Sequence, residues 1–345
     1  MPARILVTGA SGQQCGRSTT FKYEIVSDVF ARALRDGGAE VEHRTYVPGE
    51  DLRQYDVVFL GLVPFFSVAG HFVIPAMHCL ASAEAAGVPL VFYVDDWRFY
   101  QFYNNLRSIR KNPLQLVKSF FDGREMIGEA RENLDFYSAV VDRLSDKPWP
   151  LTVAPAYAWG DHAKLAGLLQ SSPRAEFVDV TPYLARHPLP DPMPVKDRSW
   201  VLGTASNQLP WLEKQGLSWP VHHFGGRASK APKLLTEPEL AAEYCRHWGV
   251  LSPSYGYRTA GTGWWRSRFV FAAQAKAVLL CDPDEAPALG PAYSLDGSAV
   301  EQLDDNELSD LAEAQRDALR PWIWKKHQVI DEMHYIVKLA KEQAA

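Results

Sequence analysis

The feature that most constrains the fold of this chain is an alternation of short apolar segments with longer helical ones. The segment Val57–Leu62 has no polar side chain, and Pro89–Val94 is almost wholly apolar. A stretch with helical character, Ile74–Ala86, lies between them. Strands that are apolar on both faces belong to parallel sheets, because helices then cover the sheet on each side. The sequence therefore predicts an α/β fold.

The alternation occurs in two successive series, which a proline-rich segment separates. The first series predicts strands at Ile5–Thr8, Glu40–Thr45, Val57–Leu62, Pro89–Val94 and Leu151–Ala154, and helices at Tyr23–Asp36 and Ile74–Ala86. The second predicts strands at Trp200–Gly203, Pro220–Phe224, Val250–Ser252 and Ala277–Cys281, with helices at Glu237–Trp248 and from Trp264. Five prolines lie between Pro182 and Pro194, and proline is excluded from helix interiors and central strands. We therefore predict a connector between two domains at 182–198, and a helical tail from Leu308 that Pro321 interrupts.

Composition excludes several classes of protein. With 345 residues the chain is long enough for two domains, and its net charge of −5 gives no overall attraction to nucleic acid or to an anionic membrane. The four cysteines form no CxxC pair, which is typical of reduced thiols in a cytoplasmic protein. No apolar run approaches the roughly 20 residues of a membrane span. A strand follows Met1 almost at once, so we expect no signal peptide and no contact with a membrane.

A glycine-rich segment with two arginines, Gly261–Arg268, is the strongest sign of a ligand site. Gly263 precedes Arg266 and Arg268 at a predicted helix start. Guanidinium groups hold a phosphate through several planar donors, and a helix N-terminus adds N–H groups and a favourable dipole. The next predicted strand ends in an acidic turn with Glu285, and Tyr293 follows. A carboxylate in that place can bind ribose hydroxyls, so this half of the chain is predicted to bind a nucleotide.

Two further glycine turns lie after predicted strands. The first contains Gly12 and departs from both standard phosphate-binding motifs, so it is either tight loop geometry or a place of close backbone approach to a ligand. The second contains Gly226, with Arg227 and Lys230 as further candidates for the diphosphate. No metal site is predicted. His222 and His223 are adjacent on a strand and face opposite sides, and Pro283 makes the acidic pair around it a turn.

Asp95 and Asp96 follow a buried predicted strand and are the candidate catalytic residues. Adjacent side chains point in opposite directions on an extended backbone, so one of them can face a cleft. A partly desolvated carboxylate there is suited to remove the proton of an acceptor hydroxyl. The alternative is that one of the two caps the following helix, and the sequence does not distinguish the two residues.

The next segment interleaves cations with aromatic residues. Its cationic candidates for nucleic-acid contact are Arg98, Arg107, Arg110 and Lys111. Phosphates bind to arginine and lysine while exposed bases stack on aromatic rings. The alternative is an amphipathic helix whose aromatic side chains lie in the core and whose charges lie in water.

The whole arrangement resembles the GT-B nucleotide-sugar glycosyltransferases, and within them the bacteriophage glucosyltransferases that modify hydroxymethylated pyrimidines in DNA. The likeness rests on the glycine turn Gly9–Gly16, the connector 182–198, Gly261–Arg268, the acidic turn before Gly290 and Tyr293, and the Val94–Trp97 strand end. The resemblance implies two Rossmann-like domains whose parallel sheets face each other across a cleft: an acceptor domain (1–190) and a nucleotide-sugar domain (191–320). It implies a C-terminal helix (321–345) that returns to the first domain.

By the same resemblance, Arg266 and Arg268, with Arg227 or Lys230, hold the diphosphate, and Glu285 holds ribose or sugar hydroxyls. The expected activity is transfer of a hexose from a nucleotide diphosphate sugar, UDP-glucose first, to a hydroxymethylated pyrimidine in double-stranded DNA, without a tightly bound cofactor. The alternatives are a glycan, lipid or small-molecule acceptor, or a two-lobed binder without catalysis. The sequence does not specify the sugar, the donor base, the anomeric outcome or the oligomeric state.

Overall fold

The computed structural model describes residues 2–8, 21–62, 73–94, 151–153, 175–178, 181–184, 189–203, 214–224, 237–252, 267–281, 289–323 and 325–344. The chain divides into two compact units. Unit 1 consists of Met1–Pro155, Leu165–Val178 and Lys326–Ala345, and unit 2 of Ala156–Lys164 and Asp179–Lys325. Among the described helices, none has the length and apolar content needed to cross a membrane.

The described strands and helices alternate through most of the chain. The strands are β1 (Arg4–Thr8), β2 (Glu40–His43), β3 (Val57–Leu62), β4 (Leu90–Val94), β5 (Leu151–Val153), β6 (Ala175–Phe177), β7 (Asp197–Gly203), β8 (Val221–Phe224), β9 (His247–Ser252) and β10 (Val278–Cys281). The α-helices are α1 (Phe21–Asp36), α2 (Val73–Ala86), α3 (Thr181–Leu184), α4 (Glu237–Arg246), α5 (Ser267–Gln274), α6 (Gly297–Val300), α7 (Asp305–Leu319) and α8 (Lys326–Ala344). Short 3₁₀ turns occupy Leu52–Gln54, Pro291–Tyr293 and Arg320–Trp322.

Each unit contains one parallel sheet. Sheet 1, in unit 1, has the strand order β2-β1-β3-β4-β5-β6, and sheet 2, in unit 2, has the order β10-β9-β7-β8. Every described strand pair is parallel. In both sheets the first strand of the unit lies between its second and third strands, which is a doubly wound order. The predicted α/β class with two Rossmann-like parallel sheets is confirmed.

The predicted return of the C-terminal helix to the first unit is also confirmed. Helix α8 packs against α1 and against strands β3 and β4. Its His334 donates from Nε2 to the carbonyl of Gly37 at 2.8 Å, and Lys341 bonds to Asp56 at 2.9 Å. A Cβ atom at Gly37 would lie 2.5 Å from His334 Nε2, so the close approach requires glycine. The buried side chains of α8 are apolar: Val329, Met333, Ile336, Val337 and Ala340.

Several boundaries predicted for the second half are wrong, and strands β7 and β9 each begin three residues before their predicted starts. The helix predicted for Glu237–Trp248 ends at Arg246, because His247 enters the sheet as the first residue of β9. The proline-rich segment contains a helix at its start, where Pro182 is the second residue of α3, and strand β7 at its end. A proline in the first turn of a helix is tolerated, since its missing N–H would have no helical partner there.

A buried carboxylate supports the amino end of sheet 2. Glu301 is 6% exposed and accepts hydrogen bonds from Trp200 Nε1, the Trp219 N–H and the Ser218 N–H at 2.7 Å each, and from Ser218 Oγ at 2.5 Å. Burial raises the pKa of Glu301, but these hydrogen bonds outweigh it, so the pKa lies below the ordinary value. A carboxyl group with a lowered folded pKa stabilises the protein above its unfolded pKa, about 4.3, and this stabilisation is lost as the pH falls through the folded pKa.

We expect Glu301→Gln to lower the free energy of unfolding by about 2–4 kcal/mol at pH 7, because an amide cannot accept from every donor that the carboxylate satisfies. The difference from the wild type should shrink between pH 5 and pH 3, where the wild-type carboxylate becomes protonated. Urea unfolding followed by tryptophan fluorescence measures this, since Trp200 lies in the network. Glu313→Gln, at a glutamate whose side chain is 62% exposed, is the matched control. A loss that is the same at every pH would contradict the assignment.

Candidate functional site

The four strands of sheet 2 end side by side, and we call this row of ends the carboxyl edge of sheet 2. Its members in spatial order are Cys281, Ser252, Gly203 and Phe224. Cys281 pairs with Ser252, and Gly203 pairs with Phe224. Strands β7 and β9 are in register at Val201 and Val250, two residues before their ends. The row is therefore level across the sheet.

The middle of this edge is a topological switch point. The chain leaves β7 and forms β8 on one side of it, then forms β9 on the other side. Ligands of open parallel sheets bind outside the carboxyl ends of the strands, at the point where the strand order reverses. In sheet 2 that point lies between Gly203 and Ser252. Strands β1 and β3 make the corresponding switch point in sheet 1.

Ser252 places an unsatisfied hydroxyl group at the switch point. The residue is fully buried, and its Oγ has no hydrogen-bond partner among the described residues. Leu251 packs into the cluster that also contains Val300 and Leu308, so Ser252 faces the opposite side of the sheet. A buried hydroxyl without a partner costs about 1–3 kcal/mol. Such groups are rare in folded proteins and mark places where a ligand or water is expected.

Arg268 lies in the first turn of α5, the helix that follows β9. It is 8% exposed. Burial raises the pKa of Tyr244, and the positive charge of Arg268 opposes that rise, which places the guanidinium near the Tyr244 phenol. Because α5 is entered from the carboxyl end of β9, Arg268 lies at the same end of the sheet as Ser252. A buried cation at a helix N-terminus is suited to an anion.

Tyr293 belongs to the core of unit 2. It is 2% exposed, its hydroxyl donates to the carbonyl of Gln315 at 3.0 Å, and its ring stacks on Phe269 with centroids 5.4 Å apart. Burial raises its pKa. Its predicted contact with a nucleotide stays a prediction. In this arrangement Tyr293 braces the turn at Pro291–Tyr293 against α5.

The other predicted site residues lie outside the described residues: Gly12, Asp95, Asp96, Arg98, Arg107, Arg110, Lys111, Gly226, Arg227, Lys230, Gly263, Arg266 and Glu285. The structure does show the ends of the strands that precede several of these residues in the chain. Strand β4 ends at Val94 in the middle of sheet 1, so the two aspartates come next after a carboxyl end. Strand β8 ends two residues before Gly226, and β10 ends four residues before Glu285. All of these exits lie at carboxyl edges.

The end of β4 is held in place by Tyr93. Its hydroxyl donates to the carbonyl of Thr8, the last residue of β1, at 3.2 Å, and its ring packs edge-on against Phe30 of α1. The ring crosses Gly61 of β3, where an added Cβ would lie 2.6 Å from the Tyr93 hydroxyl. Strand β4 is therefore held to β3 by the strand pairing and to β1, one strand further on, by the bond from Tyr93 to Thr8.

A second polar cluster, which the sequence did not suggest, resembles a hydrolase triad but lies at the opposite end of sheet 2. Ser199 Oγ is 2.7 Å from His247 Nδ1, and His247 Nε2 is 3.4 Å from Glu243. Burial lowers the pKa of His247, and the hydrogen bond to Glu243 partly offsets this. Ser199 is 2% exposed and lies near the start of β7. The serine is therefore sealed from substrate, and the cluster joins β7, β9 and α4.

The described residues contain no group of three or more His, Cys, Asp or Glu side chains placed to hold a metal ion. Asp282 and Asp284 lie outside the described residues. Arg268 makes unit 2 chemically suited to an anionic ligand, and Ser252 offers a hydroxyl to a polar group.

No sequence-family model matches the chain, and no curated protein sequence matches it. The fold has clear relatives among solved structures. The structure of T4 phage beta-glucosyltransferase is similar to this one: the superposition covers 97% of this chain and 99% of the T4 phage chain. Its TM-score is 0.59 and the sequence identity is 11%. A second similar structure is an alpha-glucosyltransferase in complex with UDP-glucose and DNA containing an abasic site. The superposition covers 98% of this chain and 100% of that chain, with a TM-score of 0.55 and 11% identity. A structure of an alpha-glucosyltransferase with UDP and a 13-mer DNA containing an HMU base has a TM-score of 0.51, also at 11% identity over 98% and 100% of the two chains. The predicted GT-B fold is confirmed.

Proposed function

We propose that this protein is a nucleotide-sugar-dependent hexosyltransferase whose donor binds at the carboxyl edge of sheet 2. The observation that carries the proposal is the pair formed by Arg268 and Ser252. Ser252 places its unsatisfied hydroxyl at the switch point of sheet 2, and Arg268 places a buried cation in the first turn of α5, the helix between β9 and β10. UDP-glucose is the first donor to test, and structural neighbours bound to UDP or UDP-glucose support that choice.

The arginines act on the leaving group. When the bond between the anomeric carbon and the diphosphate breaks, negative charge develops on the diphosphate oxygens. Arg268, together with Arg266 and with Arg227 or Lys230, stabilises that charge through hydrogen bonds that strengthen in the transition state. Glu285 accepts hydrogen bonds from ribose or sugar hydroxyls. The products are the glycosylated acceptor, the nucleoside diphosphate and one proton.

The proton comes from the acceptor hydroxyl, and Asp95 or Asp96 removes it. Both residues follow directly on β4, whose end is fixed through the bond from Tyr93 to Thr8. A base has to lie within hydrogen-bond reach of the proton that it removes. The rigid strand end provides such positioning, which is the reason for assigning the base to this place in the chain.

The proposed acceptor is a hydroxymethylated pyrimidine in DNA. Structures of an alpha-glucosyltransferase with DNA support this choice, and so does the basic and aromatic segment with Arg98, Arg107, Arg110 and Lys111. A base within a duplex has to be flipped out of the stack before its hydroxyl can react. The aromatic residues Phe99–Tyr103 can fill the gap that it leaves. We place the protein in the cytoplasm, and the buried free thiols of Cys79, Cys245 and Cys281 are compatible with a reducing compartment.

The experiment is transfer of radiolabelled glucose from UDP-glucose to a duplex that contains 5-hydroxymethylcytosine, with an unmodified duplex as control. We expect label on the modified duplex alone, in the presence or absence of EDTA. We also expect Arg107→Ala/Arg110→Ala to lose salt-sensitive retention on DNA while UDP binding persists. Label on neither duplex, with slow release of UDP in the absence of DNA, would reject the DNA acceptor and retain a glycan, lipid or small-molecule acceptor. Tight UDP-sugar binding without any release of UDP would indicate a non-catalytic binder.

A further inference from the structure

Gln315 of helix α7 bonds through both ends of its side-chain amide to the edge strand of sheet 2. The residue is 2% exposed. Its Oε1 accepts from the Leu279 N–H at 2.7 Å, and its Nε2 donates to the Leu279 carbonyl at 2.8 Å. Among the described strands, β10 is at the edge of the sheet, so no described strand pairs with its outward N–H and carbonyl groups. The glutamine pairs with both groups of Leu279, as a further strand would.

The same residue also holds the turn that follows. Its Nε2 donates to the Ala292 carbonyl at 2.9 Å, and its own backbone carbonyl accepts from the Tyr293 hydroxyl at 3.0 Å. Leu279 lies two residues before the end of β10, and Ala292 lies in the turn Pro291–Tyr293. One glutamine therefore fixes both ends of the connection that contains Glu285.

The contacts continue from this turn to the arginine helix. The ring of Tyr293 stacks on Phe269, at an interplanar angle of 28°, and Phe269 is next to Arg268 in the first turn of α5. Cys281, at the end of β10, lies with its Sγ 3.8 Å from the Tyr293 carbonyl. Gln315 is thus linked through one aromatic side chain to the segment that carries the buried guanidinium.

We infer that Gln315 is a positioning residue for the donor nucleotide: without touching the ligand, it holds the two ends of the connection that contains Glu285 and, through Tyr293 and Phe269, the helix turn that contains Arg268. The inference rests on the proposed function. Glutamine suits the role because its amide has an acceptor and two N–H donors on one planar group. Methionine has a similar length and lacks both functions, and glutamate keeps the acceptor but loses the donors.

The test compares Gln315→Met with Glu301→Gln, which disrupts a buried network at the amino end of the same sheet. UDP binding is measured by calorimetry, and donor KM and kcat are measured in the glucosyl transfer assay. We expect UDP to bind to Gln315→Met about tenfold or more weakly than to the wild type. A loss of this size is comparable to the net contribution of one or two hydrogen bonds. The donor KM should rise in parallel, with kcat at saturating donor within a few-fold of wild type. Glu301→Gln should lose thermal stability and keep its affinity for UDP.

Gln315→Glu keeps the test decisive if Gln315→Met does not fold. At pH 8 its carboxylate faces two carbonyl oxygens, so UDP binding should be weak. Burial and the two carbonyl oxygens favour the protonated form of the new carboxyl, which regains one donor, so affinity should partly recover as the pH is lowered, while Glu301→Gln shows no such recovery. Equal UDP affinity in wild type and both Gln315 variants would overturn this inference alone. Failure of the wild type to bind UDP or any UDP-sugar would overturn the proposed function, and this inference with it.

Discussion

Turnover is expected to fall about a thousandfold in one of two variants, Asp95→Asn or Asp96→Asn, because positioned general bases contribute roughly 10²–10⁴ to the rate. The amide has the shape of the carboxylate and cannot take a proton, so the fold and the donor site remain intact. UDP-glucose should bind to both variants as it binds to the wild type. The measurement is single-turnover transfer of glucose to the modified duplex, with calorimetry for donor binding.

The pH profile supports the assignment of the base. In the wild type, activity should fall as the pH drops through the pKa of the catalytic carboxyl, since only the ionised form accepts the proton. The variant that has lost the base should lack this acidic limb, and the other variant should retain it. If both variants keep wild-type turnover, the base is elsewhere. If both lose donor binding, the two aspartates support the structure and do not act on the acceptor.

Donor affinity is expected to fall about 100-fold in Arg268→Ala, because the side chain supplies charge-assisted hydrogen bonds to the diphosphate. Arg268→Lys keeps the positive charge and loses the planar fork, so its affinity should be intermediate. Calorimetry with UDP and with UDP-glucose measures both variants. UMP, which carries one phosphate, should discriminate less between wild type and Arg268→Ala.

Arg246→Ala is the matched control for this series. Arg246 lies in the last turn of α4, its side chain is 57% exposed, and it pairs with Glu243. Its removal should leave UDP affinity within twofold of the wild type, since exposed ion pairs contribute little. Arg268→Ala and Arg246→Ala binding UDP equally well would contradict the assignment of Arg268 to the diphosphate. The melting temperatures of the three variants separate a loss of binding from a loss of folding.

The secondary structure could be predicted from local patterns. Strand β3 was predicted with its observed bounds, and β1, β4, β8 and β10 within one residue at each end. Strands β3, β4 and β10 are apolar on both faces, and a short apolar run between turns is typical of a buried parallel strand. The larger errors, at His247, at Pro182 and at one end each of β2 and β7, lie at element boundaries. Element ends depend on tertiary contacts that a local pattern does not contain.

The buried polar networks could not be predicted, because each joins residues far apart in sequence. Glu301 binds groups 82 to 101 residues away, and Gln315 binds Leu279 across 36. Nothing in the local sequence distinguishes either residue from the exposed polar residues of the same helical region. Arg268 could be singled out in the sequence because the glycines and the second arginine are local neighbours, and its contact with a diphosphate stays a prediction. Ser252 could have been singled out as a candidate ligand contact, because it is the polar residue that ends the apolar segment Gly249–Ser252.

The central claim is that a nucleotide sugar binds at the carboxyl edge of sheet 2, and hydrogen–deuterium exchange with saturating UDP-glucose tests it most directly. The predicted result is slower exchange in peptides that cover 250–270 and 280–293, with no change in the peptides around Glu301 and Trp219 at the amino end. Saturated binding that leaves 250–270 and 280–293 unprotected would contradict the claim.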